Sequence, residues 1–248
     1  MEPSLARPRI PALDIARTVA LIGMAVYHFN YDREMFGWSA PGTMISPLWF
    51  WWARIVAGTF LFLAGVSLWL AHGAGIRWPA FWRRFLRVTG AAVLVSAGTY
   101  VAFYNPAPEA GPNPFVFWGI LHAIAAYSLI GLAFLRLSWP VIAAVAVGIY
   151  AVAVYGHTDL FNAPWFLWLG LASEGPLTVD YEPLFPWLAP FLLGMAFAKA
   201  GGLRPFAMLA QGRVGHLLGW PGRHSLAIYL IHQPLLIGGF ILAARLGF

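Results

Sequence analysis

The sequence predicts an all-α fold: a polytopic integral membrane helix bundle of about seven transmembrane helices, N-terminus cytoplasmic and C-terminus outside. Three observations carry this. The chain is 60% hydrophobic and only 10% charged, whereas soluble domains run near a quarter charged. Aromatic residues make up 17% of it, with 13 Trp, the composition of a protein ringed at its two membrane interfaces. Finally, apolar runs of near-spanning length alternate with short connections in which the basic residues favour one side.

Taken in order, a short basic N-terminus with Arg7 and Arg9 precedes the first apolar run, residues 13–32. No Ala-x-Ala-like cleavage site follows closely, so this reads as a retained helix rather than a signal peptide. Further runs cover residues 47–72, 82–104, 115–135, 139–155, 183–200 and 225–244. Pro183, Pro186 and Pro190 interrupt the start of the sixth. A helix beginning after Pro186 is short, and suits a start inside a cavity rather than in lipid. The long connection 156–182 holds an apolar patch at 163–171 that is too short to span, and reads as re-entrant or interfacial. Residues 202–220 place Leu203, Phe206, Leu209, Ala210, Leu217 and Leu218 on roughly one helical face, which predicts an amphipathic helix on the inner surface. No internal repeat or low-complexity tract is present, and residues 1–248 read as a single domain.

Charge sets the orientation. Twelve of the 15 basic residues fall at the ends that face the cytoplasm when the N-terminus is inside, leaving Arg33 and Arg245 outside and Arg54 within the second run. The outer connections collect Asp32, Glu34, Glu109, Asp159, Glu174, Asp180 and Glu182. The net charge of +6 follows from this topology rather than from nucleic-acid binding. The absence of cysteine excludes disulfides, thiol nucleophiles and Cys-based metal sites.

The run 13–32 carries Asp14, Arg17, His28 and Asp32. On a helix, the step from Arg17 to His28 turns about 1100°, roughly 20° past three turns, and rises about 16 Å. Both therefore share one face, with Asp32 one turn beyond His28 and Asp14 nearly one turn before Arg17. A polar stripe along a spanning helix is costly, and function is its usual reason. Other polar groups within or beside the runs are Arg54, His122, His232 and Gln233, with Asp180 and Glu182 before the sixth. His72, His157, His216 and His224 lie near run ends and read as solvated or headgroup-facing.

Each candidate also has a structural reading. His28 suits a carbonyl-bonded core histidine, Arg17 a positive-inside anchor, and Asp14 a helix N-terminal residue or the partner of Arg17. His122 and Gln233 suit interhelical hydrogen bonds, Asp32 a solvated end residue, and Arg54 a snorkelling side chain. No HExxH, Walker or GxGxxG motif occurs. A metal site of His28, His122 and His232 would need three helices to converge, and nothing in the spacing requires it, so no metal is predicted. The alignment of four polar groups on one helix favours function.

These residues fall in an ordered set of short motifs. They are Leu13-Asp-x-x-Arg-x-x-Ala with Met24 and His28-x-x-x-Asp32; Phe62-Leu-Ala-Gly-Val-Ser-Leu68; and Trp118-Gly-Ile-Leu-His122. Asp180-Tyr-x-Pro-Leu-x-Pro-Trp187 with Leu193-Gly194, and Gly222-Arg-His-Ser-Leu-x-Ile-Tyr-Leu-x-His-Gln-Pro234, complete it. The set resembles the DUF1624 family of bacterial membrane proteins, related to the catalytic domain of heparan-α-glucosaminide N-acetyltransferase within the transmembrane acyltransferase group. The Arg17-to-His28 spacing is also similar to the Arg-x10-His signature of acyltransferase-3 proteins. Thr18 departs from the pattern, which usually places glycine after the arginine.

The resemblance implies a multi-pass protein of the bacterial inner membrane that transfers an acyl group, acetyl by preference, from cytoplasmic acyl-CoA. The acceptor it implies is a hydroxyl or amine of an extracytoplasmic molecule, a sugar by preference. Under it His28 is the general base or a transient acyl carrier, and Asp32 orients or charges it. Arg17, helped by Arg83, Arg84 and Arg87, is expected to bind the CoA phosphates. His122, Asp180, His232 and Gln233 are expected to bind the acceptor or line its path. A proton-coupled small-molecule transporter with His28 and Asp32 as relay is the rival reading, and a non-catalytic assembly or sensory protein a third. A homodimer is the default expectation for oligomeric state.

Overall fold

The computed structural model describes residues 10–103, 115–176, 178, 180–207, 209 and 211–247, with residue 103 described by its backbone alone. Arg7, Arg9, Glu109 and Ala210 lie outside the described residues. The helices are α1 (Pro11–Met35), α2 (Pro47–His72), α3 (Trp78–Phe103), α4 (Ile120–Phe134), α5 (Trp139–Tyr155), α6 (Leu184–Lys199), α7 (Arg213–Leu218), α8 (Trp220–Arg223) and α9 (Ser225–Arg245). An isolated bridge joins Thr158 and Ala172, and there is no strand among the described residues.

Each of the seven apolar runs contains a helix, and four helices are long and apolar enough to cross a membrane: α1, α2, α3 and α9. The other three, α4, α5 and α6, have 15, 17 and 16 residues, below the roughly 20 that a perpendicular span needs. The fourth was expected from residue 115, but α4 starts at Ile120 because 115–119 is irregular chain tied down by side-chain bonds. In α6 the backbone at Phe185 is non-helical, so the regular helix follows Pro186, and Pro190 lies inside it. Proline supplies no N–H to the ladder, which is why this run shortens. The predicted amphipathic helix over 202–220 is instead broken. A 3-10 turn at Arg204–Phe206 is separated from α7 by Gly212, whose φ of 94° lies in the left-handed region that favours glycine and ends regular helix. The apolar patch at 163–171 forms the 3-10 segment Pro164–Leu169.

The chain divides into two compact units, one from the described residues of Met1–Val56 and Gly202–Phe248, the other Ala57–Gly201. In the first unit, Pro11 sits in the first turn of α1, where its missing N–H is harmless, and Asp14 and Arg33 complement the two helix ends. Beyond α1, the Glu34 carboxylate accepts from Gly42 N at 2.6 Å and Met44 N at 2.8 Å, folding the connection back. Trp52 Nε1 donates to Gly23 O at 2.8 Å, and a Cβ on Gly23 would meet Val56 at 2.9 Å.

α1 and α9 run in the same direction. At the start of α1, Thr18 Oγ1 lies 2.8 Å from Leu218 O and accepts from Gly222 N at 3.0 Å. A Cβ on Gly222 would sit 1.9 Å from Asp14 O, so only glycine permits this approach. At the other end, Phe240 packs on Phe29, Phe36 and Trp38 at 5.4, 5.3 and 5.0 Å between ring centroids. The later residues of α9 thus meet the later residues of α1.

In the second unit, α2 and α6 close on two glycines. A Cβ on Gly65 would lie 1.9 Å from Phe191 O, and one on Gly194 would lie 2.0 Å from Phe62 O. Small residues let backbones approach where lipid offers no hydrophobic drive. His72, expected to be solvated, is buried and its Nδ1 accepts from Arg77 N at 3.2 Å; the turn after α2 needs an acceptor for that amide. Lys199 caps the neighbouring α4 end, donating to Leu135 O at 2.9 Å and lying 4.6 Å over the Trp69 ring.

Gly194→Val is expected to lower the thermal midpoint of the purified protein by the equivalent of about 1–3 kcal/mol, the usual range for overpacking. Gly58→Ala, where a Cβ would meet nothing within 4 Å, should leave it unchanged. Thr18→Val should cost about 1–3 kcal/mol by stranding the Gly222 amide, and Thr18→Ser should restore most of it. Both series are read by thermal unfolding in detergent.

Candidate functional site

The first unit brings together four of the predicted residues. α1 carries His28 and Asp32 one turn apart, and α9 carries the neighbours His232 and Gln233. The His28 and His232 rings lie 5.1 Å apart between centroids, tilted by 60°. One turn further on, Gln233 Nε2 donates to Asp32 Oδ1 at 2.8 Å. Asp32 is fully buried. A buried carboxylate in an apolar helix requires a donor, and α9 supplies one.

His232 is held by its own helix. Its Nδ1 lies 2.5 Å from Tyr229 O. A carbonyl only accepts, so Nδ1 carries the proton and Nε2 of the neutral ring carries the lone pair. Nε2 is buried and has no hydrogen-bond partner among the described residues. The same holds for Asp32 Oδ2 and Gln233 Oε1. Three unused acceptors therefore gather beside His28, and buried polar atoms are rarely left unpaired. The arrangement suits a group that donates hydrogen bonds, such as a hydroxyl or an amine.

Arg17 lies at the other end of the α1 stripe, with Nη1 2.6 Å from Asp14 Oδ1. The ion pair expected from the sequence is thus formed. Arg83, Arg84 and Arg87 belong to α3 in the second unit. Arg83 and Arg87 are exposed, while Arg84 donates to Ser128 Oγ at 3.2 Å. Arg54 is exposed and lies 3.3 Å over the Phe50 ring.

His122 and Asp180 form a separate cluster in the second unit. His122 Nδ1 accepts from Gly119 N at 3.3 Å and its Nε2 lies 3.2 Å from Ser96 Oγ, which donates to Val116 O at 2.8 Å. Asp180 Oδ2 accepts from Ile120 N at 3.4 Å. Both side chains therefore hold amides at the start of α4, where the first N–H groups have no helical partner. A Cβ on Gly119 would meet Asp180 Oδ2 at 2.3 Å, which explains the glycine. Glu182 N donates to Trp118 O at 2.9 Å, and Tyr127 Oη lies 2.7 Å from Pro183 O. Tyr181 donates to Leu167 O, and burial pushes its hydroxyl up to about 12, so it remains a donor.

The family profile for the heparan-alpha-glucosaminide N-acetyltransferase catalytic domain matches residues 9–234. The chain belongs to this family. The match covers α1 through the His232-Gln233 pair, and with the apolar helices it makes the chain a transmembrane protein of the acetyltransferase class. No curated protein and no solved structure matches it significantly.

Sequence reading named the four residues of the first-unit cluster but not Tyr229, because a backbone carbonyl leaves no trace in residue type. It also gave Thr18 no role beyond a departure from pattern. Its only signal was a hydroxyl beside Arg17 in an otherwise apolar run.

Gln233→Leu is expected to destabilise the protein by about 1–3 kcal/mol, since Asp32 loses its donor while buried. Adding Asp32→Leu should recover part of that loss. A double-mutant cycle in thermal unfolding measures the coupling.

Proposed function

We propose that this protein is a membrane-embedded acyltransferase of the bacterial inner membrane. It moves an acyl group, acetyl by preference, from cytoplasmic acyl-CoA to a hydroxyl or amine of an extracytoplasmic acceptor, with a sugar as the favoured class. Family membership supports the reaction class. The observation that carries the site is the His28–His232 pair beside the acceptor atoms of Asp32 and Gln233.

Acyl-CoA supplies the activated thioester carbonyl. His28 takes the proton from the acceptor's O–H or N–H as its oxygen or nitrogen bonds to that carbonyl. The C–S bond breaks, and the proton returns from His28 to the departing thiolate, so no net charge remains. His232, its Nδ1 proton committed to Tyr229 O, offers the Nε2 lone pair to a second donor of the acceptor or to the protonated His28 ring. Asp32 and Gln233 hold further hydroxyl donors through Oδ2 and Oε1. Asp32 is positioned by Gln233, and its negative charge favours the imidazolium that forms nearby.

Seven crossings with the N-terminus inside remain our reading of topology. The common direction of α1 and α9 and the distribution of basic residues support it. Under it Arg17 stands at the cytoplasmic end of α1, with His28 about 16 Å further along the axis, of the order of a pantetheine arm. In that topology Arg83, Arg84 and Arg87 lie at the cytoplasmic end of α3, and His122 and Asp180 lie at the outer start of α4. A homodimer remains the working oligomeric state.

The test is acetyl transfer to an amino sugar by protein reconstituted in liposomes. His28→Ala should lower the rate at least about 100-fold, the contribution expected of a general base, with the thermal midpoint unchanged. His232→Phe should lower it at least about tenfold, one lost hydrogen bond to a reacting group. A folded, fully active His28→Ala protein would overturn the assignment.

A further inference from the structure

The broken segment that replaces the predicted amphipathic helix carries an open surface cleft of about 770 Å³, lined by Gly212, Arg213, His216, Leu217, Trp220 and Arg223. Two arginines, a histidine and a tryptophan line it, with no carboxylate in the lining. Among the described residues, no side-chain hydrogen bond or ion pair engages Arg213, His216 or Arg223. Asp14 is the acid that approaches most closely from α1, through the Gly219 backbone, and its carboxylate is already bonded to Arg17 at 2.6 Å. Arg213 and Arg223 both line this cleft without an acidic partner among the described residues, and guanidinium groups left in this way suit a phosphate.

The fold fixes this cleft relative to the His28 cluster. Thr18 is hydrogen-bonded to Leu218 O and Gly222 N, which flank Trp220 on either side. From Thr18 to His28, α1 is uninterrupted helix, about 15 Å of axial rise. The cleft therefore lies about one pantetheine arm from the proposed site of transfer.

We propose that the α7–α8 cleft is a phosphate-binding site that takes the phosphorylated nucleotide end of the acyl donor, with Arg213 and Arg223 on the phosphates and Trp220 against the base. This rests on the reading of the protein as an acyl-CoA-dependent transferase. It moves the donor's phosphate contacts from Arg83, Arg84 and Arg87 of the second unit to the segment anchored on Thr18. A phospholipid headgroup offers the same phosphate chemistry at this end of α1, and the experiment separates the two sources.

The experiment compares wild type with Arg213→Gln/Arg223→Gln and Trp220→Ala, purified as full chains in detergent and in nanodiscs. Acetyl-CoA binding is measured by calorimetry. Transfer is measured with acetyl-CoA and with the acetyl thioester of N-acetylcysteamine, which lacks phosphate and nucleotide. The double variant should weaken acetyl-CoA binding at least about tenfold, as expected for lost charge-assisted hydrogen bonds, and raise KM for acetyl-CoA far more than KM for the truncated thioester. Trp220→Ala should act in the same direction. If the phosphate comes from lipid, the double variant keeps wild-type affinity for acetyl-CoA but loses preferential retention of anionic over zwitterionic phospholipid; the nucleotide assignment then falls and the phosphate site stands. Unchanged binding of both ligands by a variant with wild-type thermal stability overturns the proposal. The functional reading fails separately, when wild type itself neither binds acetyl-CoA nor uses either thioester.

Discussion

The first unit depends on the parallel pairing of α1 with the α8–α9 segment. Its tightest point is the contact of Gly222 with Asp14 O, secured by the Thr18 hydroxyl. Phe240 fixes the opposite end against Phe29, Phe36 and Trp38. Between these two points the helices can meet only in one register. That register places His28 against His232 and Asp32 against Gln233. A shift of one residue would rotate each side chain by about 100° and leave a buried carboxylate without its donor. Packing at the ends thus specifies the polar contacts in the middle.

The polar cluster shows how an apolar protein keeps reactive groups. A fully buried carboxylate is tolerated because a neutral amide serves it, and the amide's own oxygen is left unused. His232 is fixed in one tautomer by a carbonyl of its own helix. Each residue therefore has one structural bond and one free acceptor. In the second unit the balance differs. Both ring nitrogens of His122 face protein partners, and Asp180 takes an amide at the start of α4. Two polar clusters of similar composition thus do different work, one presenting acceptors and the other closing a helix end.

The broken segment after residue 202 follows the same economy. Glycines at 212, 219 and 222 allow sharp turns and close approach, at the expense of helical continuity. What periodicity suggested as one amphipathic face becomes a 3-10 turn and two short helices whose basic residues line one open cleft. Arg213 of α7 and Arg223 of α8 line the same open cleft.

Apolar length, the distribution of basic residues and the stripe on α1 were enough to give the helical class, the number of apolar helices and the four residues of the first-unit cluster. These are one-dimensional properties: transfer energy depends on composition, and the stripe depends only on helical period. The shortening of α6 was legible from its prolines, whereas the start of α4 was settled by a hydrogen bond to Asp180, distant in sequence, and the burial of His72 by the turn that follows α2. Which histidine nitrogen keeps its lone pair was likewise undetermined, because a backbone carbonyl is present at every residue and only its position relative to His232 selects the tautomer. Residue type specified the chemistry available to this chain, and contacts between helices decided which of it is left free to react.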